Sequence, residues 1–460
     1  MNFFNFSVSF VALVLVVVTA QQQHDPNYCY ATDAIRPQLT RFSSRTAYET
    51  IRGRVINPGV SVRTRKIDVH LFPACTPAKF WFYSRHAARL PGVNDIGRMS
   101  TIQPQVNNII AARAAGRGQA LCAQDFNLIN NWRFDPNITV AVEQFLTVAG
   151  WNEILGISRR YRAAFPTLFP TVYNRNWYTF RHTNRQRTQA SARAFADGLF
   201  GHNGYQQVVV EPILDPDRLL RPHDGCHLYD AASDNTVQRG LWQNGAEFQL
   251  MLNQVNDKLG LQGNQRLTAR QTRTLWEICN FEQLWFSTVT APFCGIFSPF
   301  NNLMLEYFED LDYYYNAGYG GPRRLFENLN CPLMQDLVGF LETSNTSENV
   351  RIYSTHSTAF QLFLVTLGVF GNDVPLTAAN FAQQTNRQWR STFLTPMATN
   401  IAAIRYNCPN GDNDVLFLMN EQPLVIPGCQ ANGLCKVNYI RQRYNRFLSA
   451  NCGLLSCSNN

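Results

Sequence analysis

Three stretches of this chain repeat one order of hydrophobic and polar positions: a short apolar run, a turn carrying Arg or His, then a helix-like stretch. The first is FWFYS at 80 to 84, followed by RHAARLPG. The second is WYTF at 177 to 180, then RHTNRQRT, then QASARAFADGLFG, where Ala192, Phe195 and Leu199 recur at helical spacing before a stop at Gly201. The third is VRIYST at 350 to 355, then His356, then STAFQLFLVTLG, stopped at Gly368. Strand, turn and helix in that order build βα units, and open α/β sheets bind ligands outside the carboxyl ends of their strands. The three polar turns are therefore expected at one sheet edge. Between the second and third stretches, residues 216 to 344 carry helical runs such as NTVQRGLWQNGAEFQLMLNQVNDKLG and CPLMQDLVGFLE with little strand pattern, which predicts a mainly helical insertion. The α/β domain is then split into 21 to 215, a part that can also contribute helices to the insertion, and 345 to 460.

Composition agrees with a compact globule. Of 460 residues, 45% are hydrophobic and 16% charged, far from the signature of disorder, and the length exceeds one ordinary core. The opening segment is apolar from Val8 to Val18 and ends Val18-Thr19-Ala20, which predicts a signal peptide cleaved after Ala20. Eleven apolar residues are too few to cross a bilayer, which takes about 20, and no later segment is long enough. All twelve cysteines lie beyond residue 20, and after a signal peptide they read as disulfides; Cys429 and Cys435 are close enough for a local loop. The sequons at Asn137 and Asn345 fit the same secretory route. That route leaves secretion, the endoplasmic reticulum lumen or the cell surface as destinations.

The net charge is +8, and of the 40 basic residues only four are lysine. Arginine's planar fork suits bidentate binding of phosphate or carboxylate. Most arginines are simply solvated, so placement decides. Any one of the three turns, taken alone, reads as structural. Together they gather two histidines and several arginines with no matching set of acids, and such a cluster wants an anion. Phosphate fits: guanidinium groups bind its equatorial oxygens, and an imidazole can attack phosphorus to give a phosphohistidine, without a metal or other cofactor. No Lys/Arg run or nucleic-acid motif supports a nucleic-acid partner.

These residues carry a resemblance. SRHAARLPG is similar to the RHGxRxP signature of histidine acid phosphatases. FRHTNRQRTQASARAFADGLFG resembles the family segment that supplies a third phosphate-binding arginine, and IYSTHSTAFQLFLVTLGVFGND the one that holds a second histidine. Residues 375 to 408 and 417 to 429 resemble the multiple inositol polyphosphate phosphatase branch. The resemblance implies His86 as nucleophile, Arg85, Arg89 and Arg187 as a phosphate clamp, and His356 as a further donor to the phosphate. It implies an α/β domain with a helical cap, and a phosphomonoester substrate of the inositol polyphosphate kind. It also implies disulfides Cys75 with Cys408, Cys279 with Cys294, and Cys429 with Cys435, plus Cys226 with one of the two C-terminal cysteines.

Two positions depart from the family. Ala87 stands where the signature has glycine. The third turn reads His356-Ser357-Thr358, whereas the inositol-phosphatase branch has His-Ala-Glu and other branches His-Asp. Position 358 therefore lacks the carboxylic acid that protonates the leaving oxygen, a loss worth about 10²–10⁴ in rate. The expected function is a secreted phosphomonoesterase, slowed or drawing its proton from elsewhere in the pocket. The alternative is a pseudophosphatase that binds phosphorylated ligands without turning them over.

Overall fold

The computed structural model describes residues 24–53, 75–286, 290–343, 347–371, 374–409, 411 and 413–459. The signal segment and Asn345 lie outside the described residues. The chain divides into two compact units, one comprising residues 43–90, 144–238 and 310–460, the other residues 1–42, 91–143 and 239–309.

The first unit holds a seven-stranded sheet made of β1 (Thr76–Arg85), β2 (Tyr178–His182), β3 (Val350–Thr355), β4 (Asn400–Asn407), β5 (Asp414–Met419), β6 (Gln422–Pro423) and β7 (Leu434–Lys436). The order is β2-β3-β1-β4-β5-β6, with β7 also on β5. β1, β2 and β3 run parallel, while β4 lies antiparallel to β1. Parallel strands are covered on both faces, so their apolar residues need not alternate with polar ones. Phe80 to Tyr83 are all fully buried. Phe80 and Phe82 turn to one side, against Tyr161, Phe169 and Phe195. Trp81 and Tyr83 turn to the other, against Tyr353 and Phe363. The helix Gln186–Phe200 buries Ala192, Phe195 and Leu199, and its C-cap Gly201 has φ 91°. The helix Ser357–Leu367 ends on Gly368 in the left-handed region, φ 76°, a backbone that glycine adopts without strain.

The second unit is helical, with no strand among its described residues. It includes the helices Val93–Ser100, Gln103–Ala114, Ala123–Asn131, Ala246–Lys258 and Ala269–Trp285. Residues 91–143 of the first sequence segment contribute helices to it, whereas 216–238 and 310–344, expected in the insertion, pack with the sheet. The physical reason is visible at the helix Cys331–Glu342. Helical spacing identifies an apolar face but not the partner that covers it. Here the partner is the sheet, because Asp336 accepts from Trp81 Nε1 at 2.8 Å and Tyr353 Oη at 2.9 Å, and Phe340 lies under Lys79 and Arg351.

The twelve cysteines form six disulfides: Cys75–Cys408, Cys226–Cys457, Cys331–Cys452 and Cys429–Cys435 in the sheet unit, Cys29–Cys122 and Cys279–Cys294 in the helical one. Asn137 is exposed, its amide bonded to Asp135. No helix among the described residues is long and apolar enough to cross a membrane.

Candidate active site

The register of the parallel strands brings the three polar turns together. Arg85 pairs with Thr355 across β1 and β3, and His182 with Ser354 across β2 and β3, so the strands end level. The residues after them, His86, Thr183 and His356, leave the sheet at the same edge.

His86 is locked from both sides. Its backbone N–H donates to Thr355 O at 3.0 Å, and its carbonyl accepts from Ala398 N at 3.1 Å. The side chain is almost fully buried. Its Nδ1 lies 2.9 Å from Ala87 O. A carbonyl only accepts, so Nδ1 carries the proton and the lone pair resides on Nε2. The ring of His356 stands 5.6 Å away at 63°. Arg187 Nη2 donates to His356 Nδ1 at 3.2 Å, which places the remaining proton on Nε2, where Thr183 Oγ1 accepts it at 2.8 Å. Thr188 Oγ1 lies 2.9 Å further on, and donates onward to a backbone carbonyl. The tautomers of both histidines are thus set by fixed neighbours.

Arg85 is buried, and its Nη1 donates to the carbonyls of Ser44 and Thr395, each at 2.6 Å. The Nε atoms of Arg85 and Arg187 are both buried with no hydrogen-bond partner. Arg89 donates to Leu90 O at 2.7 Å, and its backbone pairs with Leu146. Burial above all, and then neighbouring arginine charge, pushes Arg85 and Arg187 down to about 9: Arg89 and Arg45 act on Arg85, and Arg89, Arg185 and Arg85 act on Arg187. Burial, followed by Arg85, Arg187, His356 and Arg89, holds His86 well below the usual imidazole range. His356 is depressed in the same way, by burial first and then Arg187. The site therefore combines two neutral imidazoles with three guanidinium groups.

The turn after His86 rests on the helix Val148–Ala164. Glu153 accepts from Ala88 N at 3.2 Å and Tyr48 N at 3.1 Å, and burial pushes its carboxyl up to about 7. A Cβ on Gly150 would lie 2.2 Å from Ala88 O, so only glycine lets the helix approach this closely. Ala87 is buried without a left-handed backbone, and its N–H donates to Ser191 Oγ at 3.3 Å. The family's glycine is thus not required here for its conformation.

Ser357 and Thr358 open the helix Ser357–Leu367, half-buried, and bring no carboxyl. His182 does not join the cluster: its Nδ1 bonds to Thr183 O, and its ring lines a cavity of about 500 Å³ with Phe180, Arg193 and Tyr205. Several residues near the cluster had no signal in the strand, turn and helix pattern. Arg45 adds its charge to Arg85, and Arg221 adds its charge to Arg187 and His356. The segment carrying Arg221, His223 and Asp224 is tied in where Thr355 Oγ1 donates to Leu220 O. The His223-Asp224 dipeptide was the one available clue, since it repeats the acid-bearing pair of other branches.

The family described as the histidine phosphatase superfamily (branch 2) matches residues 83–420. A multiple inositol polyphosphate phosphatase 1 of Drosophila melanogaster is 33% identical over 97% of this chain and 93% of its own length. The human protein of the same name is 25% identical over 83% of this chain and 82% of its own. Among solved structures, the phytase from D. castellii superposes with a TM-score of 0.70 at 18% identity, over 90% of this chain and 88% of that one. The multiple inositol polyphosphate phosphatase of Bifidobacterium longum, in complex with inositol hexasulfate, gives 0.63 at 14% identity, over 87% and 97%.

Proposed function

Because this chain belongs to branch 2 of the histidine phosphatase superfamily, we propose that it hydrolyses phosphate monoesters, inositol polyphosphates foremost, through a phosphohistidine on His86. The observation that carries the reading is the state of His86. Its Nδ1 proton is tied to a carbonyl, its ring is kept neutral, and arginine charge surrounds it. A neutral imidazole held this way is a nucleophile at acid and neutral pH. Arg85, Arg89 and Arg187 hold the transferred phosphoryl group and stabilise the charge that spreads over its oxygens. His356 holds Arg187 in place through its Nδ1, and becomes a further donor to that group by turning its Nε2 proton from Thr183 to the phosphate. A substrate with several phosphates would also engage Arg45, Arg185 and Arg221, whose charges already bear on the clamp. Six disulfides suit an oxidising compartment, and Asn137 and Asn345 would then carry glycans.

The composition of the third turn favours a second reading. With Ser357 and Thr358 in place of an acid, a protein that binds phosphorylated ligands without hydrolysing them would keep the same clamp. Phosphate release from inositol hexakisphosphate and from p-nitrophenyl phosphate separates the two, together with chemical trapping of an acid-labile phosphoenzyme. Hydrolysis abolished by His86→Ala supports the enzyme. Tight binding with no turnover of either ester supports the binder.

A further inference from the structure

We infer that Asp224 protonates the leaving oxygen, in place of the acid that position 358 lacks. The inference rests on the hydrolytic reading above and names the proton donor for that same site. Three carboxyl groups are tied to the surroundings of the cluster, and their hydrogen bonding tells them apart. Glu153 is buried, and both its oxygens accept backbone N–H groups. Asp217 Oδ1 accepts from Leu219 N and Leu220 N, and its Oδ2 is sealed from solvent. Either would have to break its own structure to move a proton. Asp224 is different. No hydrogen bond among the described residues occupies its carboxyl group, and the side chain keeps 23% of its surface exposed.

Its location fits the role. Arg221 and His223 both act on His356, and Arg221 also acts on Arg187. Asp224 lies beside both, with Oδ2 2.9 Å from Arg221 Nε and Oδ1 3.7 Å from His223 Nε2. The Arg221 contact is one of charge rather than an aligned hydrogen bond, because that N–H finds no hydrogen-bond partner. Burial, opposed by Arg221 and Arg185 and reinforced by Asp215 and Asp217, raises the Asp224 carboxyl above its ordinary value. A raised carboxyl holds its proton to higher pH, as a general acid requires.

The step balances. His86 Nε2 attacks phosphorus, the N–P bond forms as the ester P–O bond breaks, and the Asp224 proton passes to the departing alcohol oxygen. The Asp224 carboxylate then takes a proton from the water that attacks the phosphohistidine. Orthophosphate leaves, and both the acid and the free imidazole are restored.

The test compares Asp224→Asn with the wild type on inositol hexakisphosphate, whose alkoxide needs a proton, and p-nitrophenyl phosphate, whose phenolate does not. We expect the variant to lose about 100-fold or more in kcat/KM on the first, with a change within about threefold on the second. Adding Thr358→Glu to Asp224→Asn should restore at least about tenfold on the inositol ester. A loss equal on both substrates would make Asp224 a support for Arg221 only, and no loss on either would remove it from the reaction; both overturn the inference. A measurement on the wild type alone guards against a variant that fails to fold: across aryl and alkyl phosphates, kcat/KM should vary little with leaving-group basicity, and a steep fall overturns the inference. A wild type that hydrolyses neither ester instead fails the proposed reaction itself.

Discussion

Replacing Arg187 with methionine should make the empty protein more stable while removing its activity. Arg187 keeps a full charge in a half-buried site, with one hydrogen bond to a neutral imidazole and an unpartnered Nε. Burial and the neighbouring arginines bring it from the ordinary guanidinium value to about 9. At about 1.4 kcal/mol per pKa unit, that fall sets a ceiling on the order of 5 kcal/mol, which solvent screening of a half-buried group reduces to about 1–2. The sign follows from linkage: the folded value is depressed, so the cost is complete wherever Arg187 is charged in both states, and is relieved only as pH rises above about 9. Methionine keeps the aliphatic stem without the charge. Thermal unfolding from pH 5 to 8 should therefore show Arg187→Met melting about 1–2 °C above wild type, with a gap that does not vary with pH. Inositol hexasulfate should reverse the order. At 100 times its Kd it stabilises wild type by about 2.7 kcal/mol, and the variant should gain far less. A variant that melts below wild type yet keeps the full anion-induced rise would refute this account of the clamp.

Two further outcomes follow from the same geometry. Gly150→Ala puts a Cβ 2.2 Å from Ala88 O and 2.8 Å from Ala88 N, and backbone cannot rotate away; overpacking of that kind costs about 1–3 kcal/mol, so Tm should fall and steady-state turnover should drop at least about tenfold as the 86–89 turn shifts, whereas full activity at unchanged Tm would contradict the fit. Burial and the arginines depress His86, so its ring charges only at a lower pH than a free imidazole; kcat/KM on p-nitrophenyl phosphate should not fall as pH drops through about 6.5, and a tenfold loss per pH unit below that value that tracks His86 titration by NMR would contradict it.

What could be read from the sequence was local. FWFYS before RHAARLPG, and the stops at Gly201 and Gly368, reflect constraints that lie within a few residues: strand burial, a turn, and left-handed backbone at a helix end. Arg85, His86, Arg187 and His356 were visible because each follows such a strand. Asp224 and Arg221 were not, because their segment is placed by partners far away in the sequence, Thr355 Oγ1 to Leu220 O and the Cys226–Cys457 disulfide among them. Glu153 reads as an ordinary polar position on an amphipathic helix. It is buried only because Gly150, one turn earlier, lets that helix sit against Ala88. The unit boundaries failed for a related reason, since the partner of an apolar face is not written in its spacing.

The arginines of the sheet unit show how charge is kept available for a ligand. Arg160 is held bidentately by Glu421, and Arg351 by Asp336 and Glu348, so each charge is cancelled where it stands. Arg85 is held as firmly, by two carbonyls at 2.6 Å, but carbonyls orient a guanidinium without neutralising it. Carbonyl anchoring alone does not mark a site, because Arg405 is also held by carbonyls, those ending the helix Cys331–Glu342, where a helix terminus carries negative partial charge. What sets the cluster apart is that Arg85, Arg89 and Arg187 each raise the cost of charging another. Repulsion retained in a folded protein is released when an anion arrives. The same repulsion keeps His86 neutral before the anion arrives, so one arrangement of charge prepares both the binding of phosphate and the attack upon it.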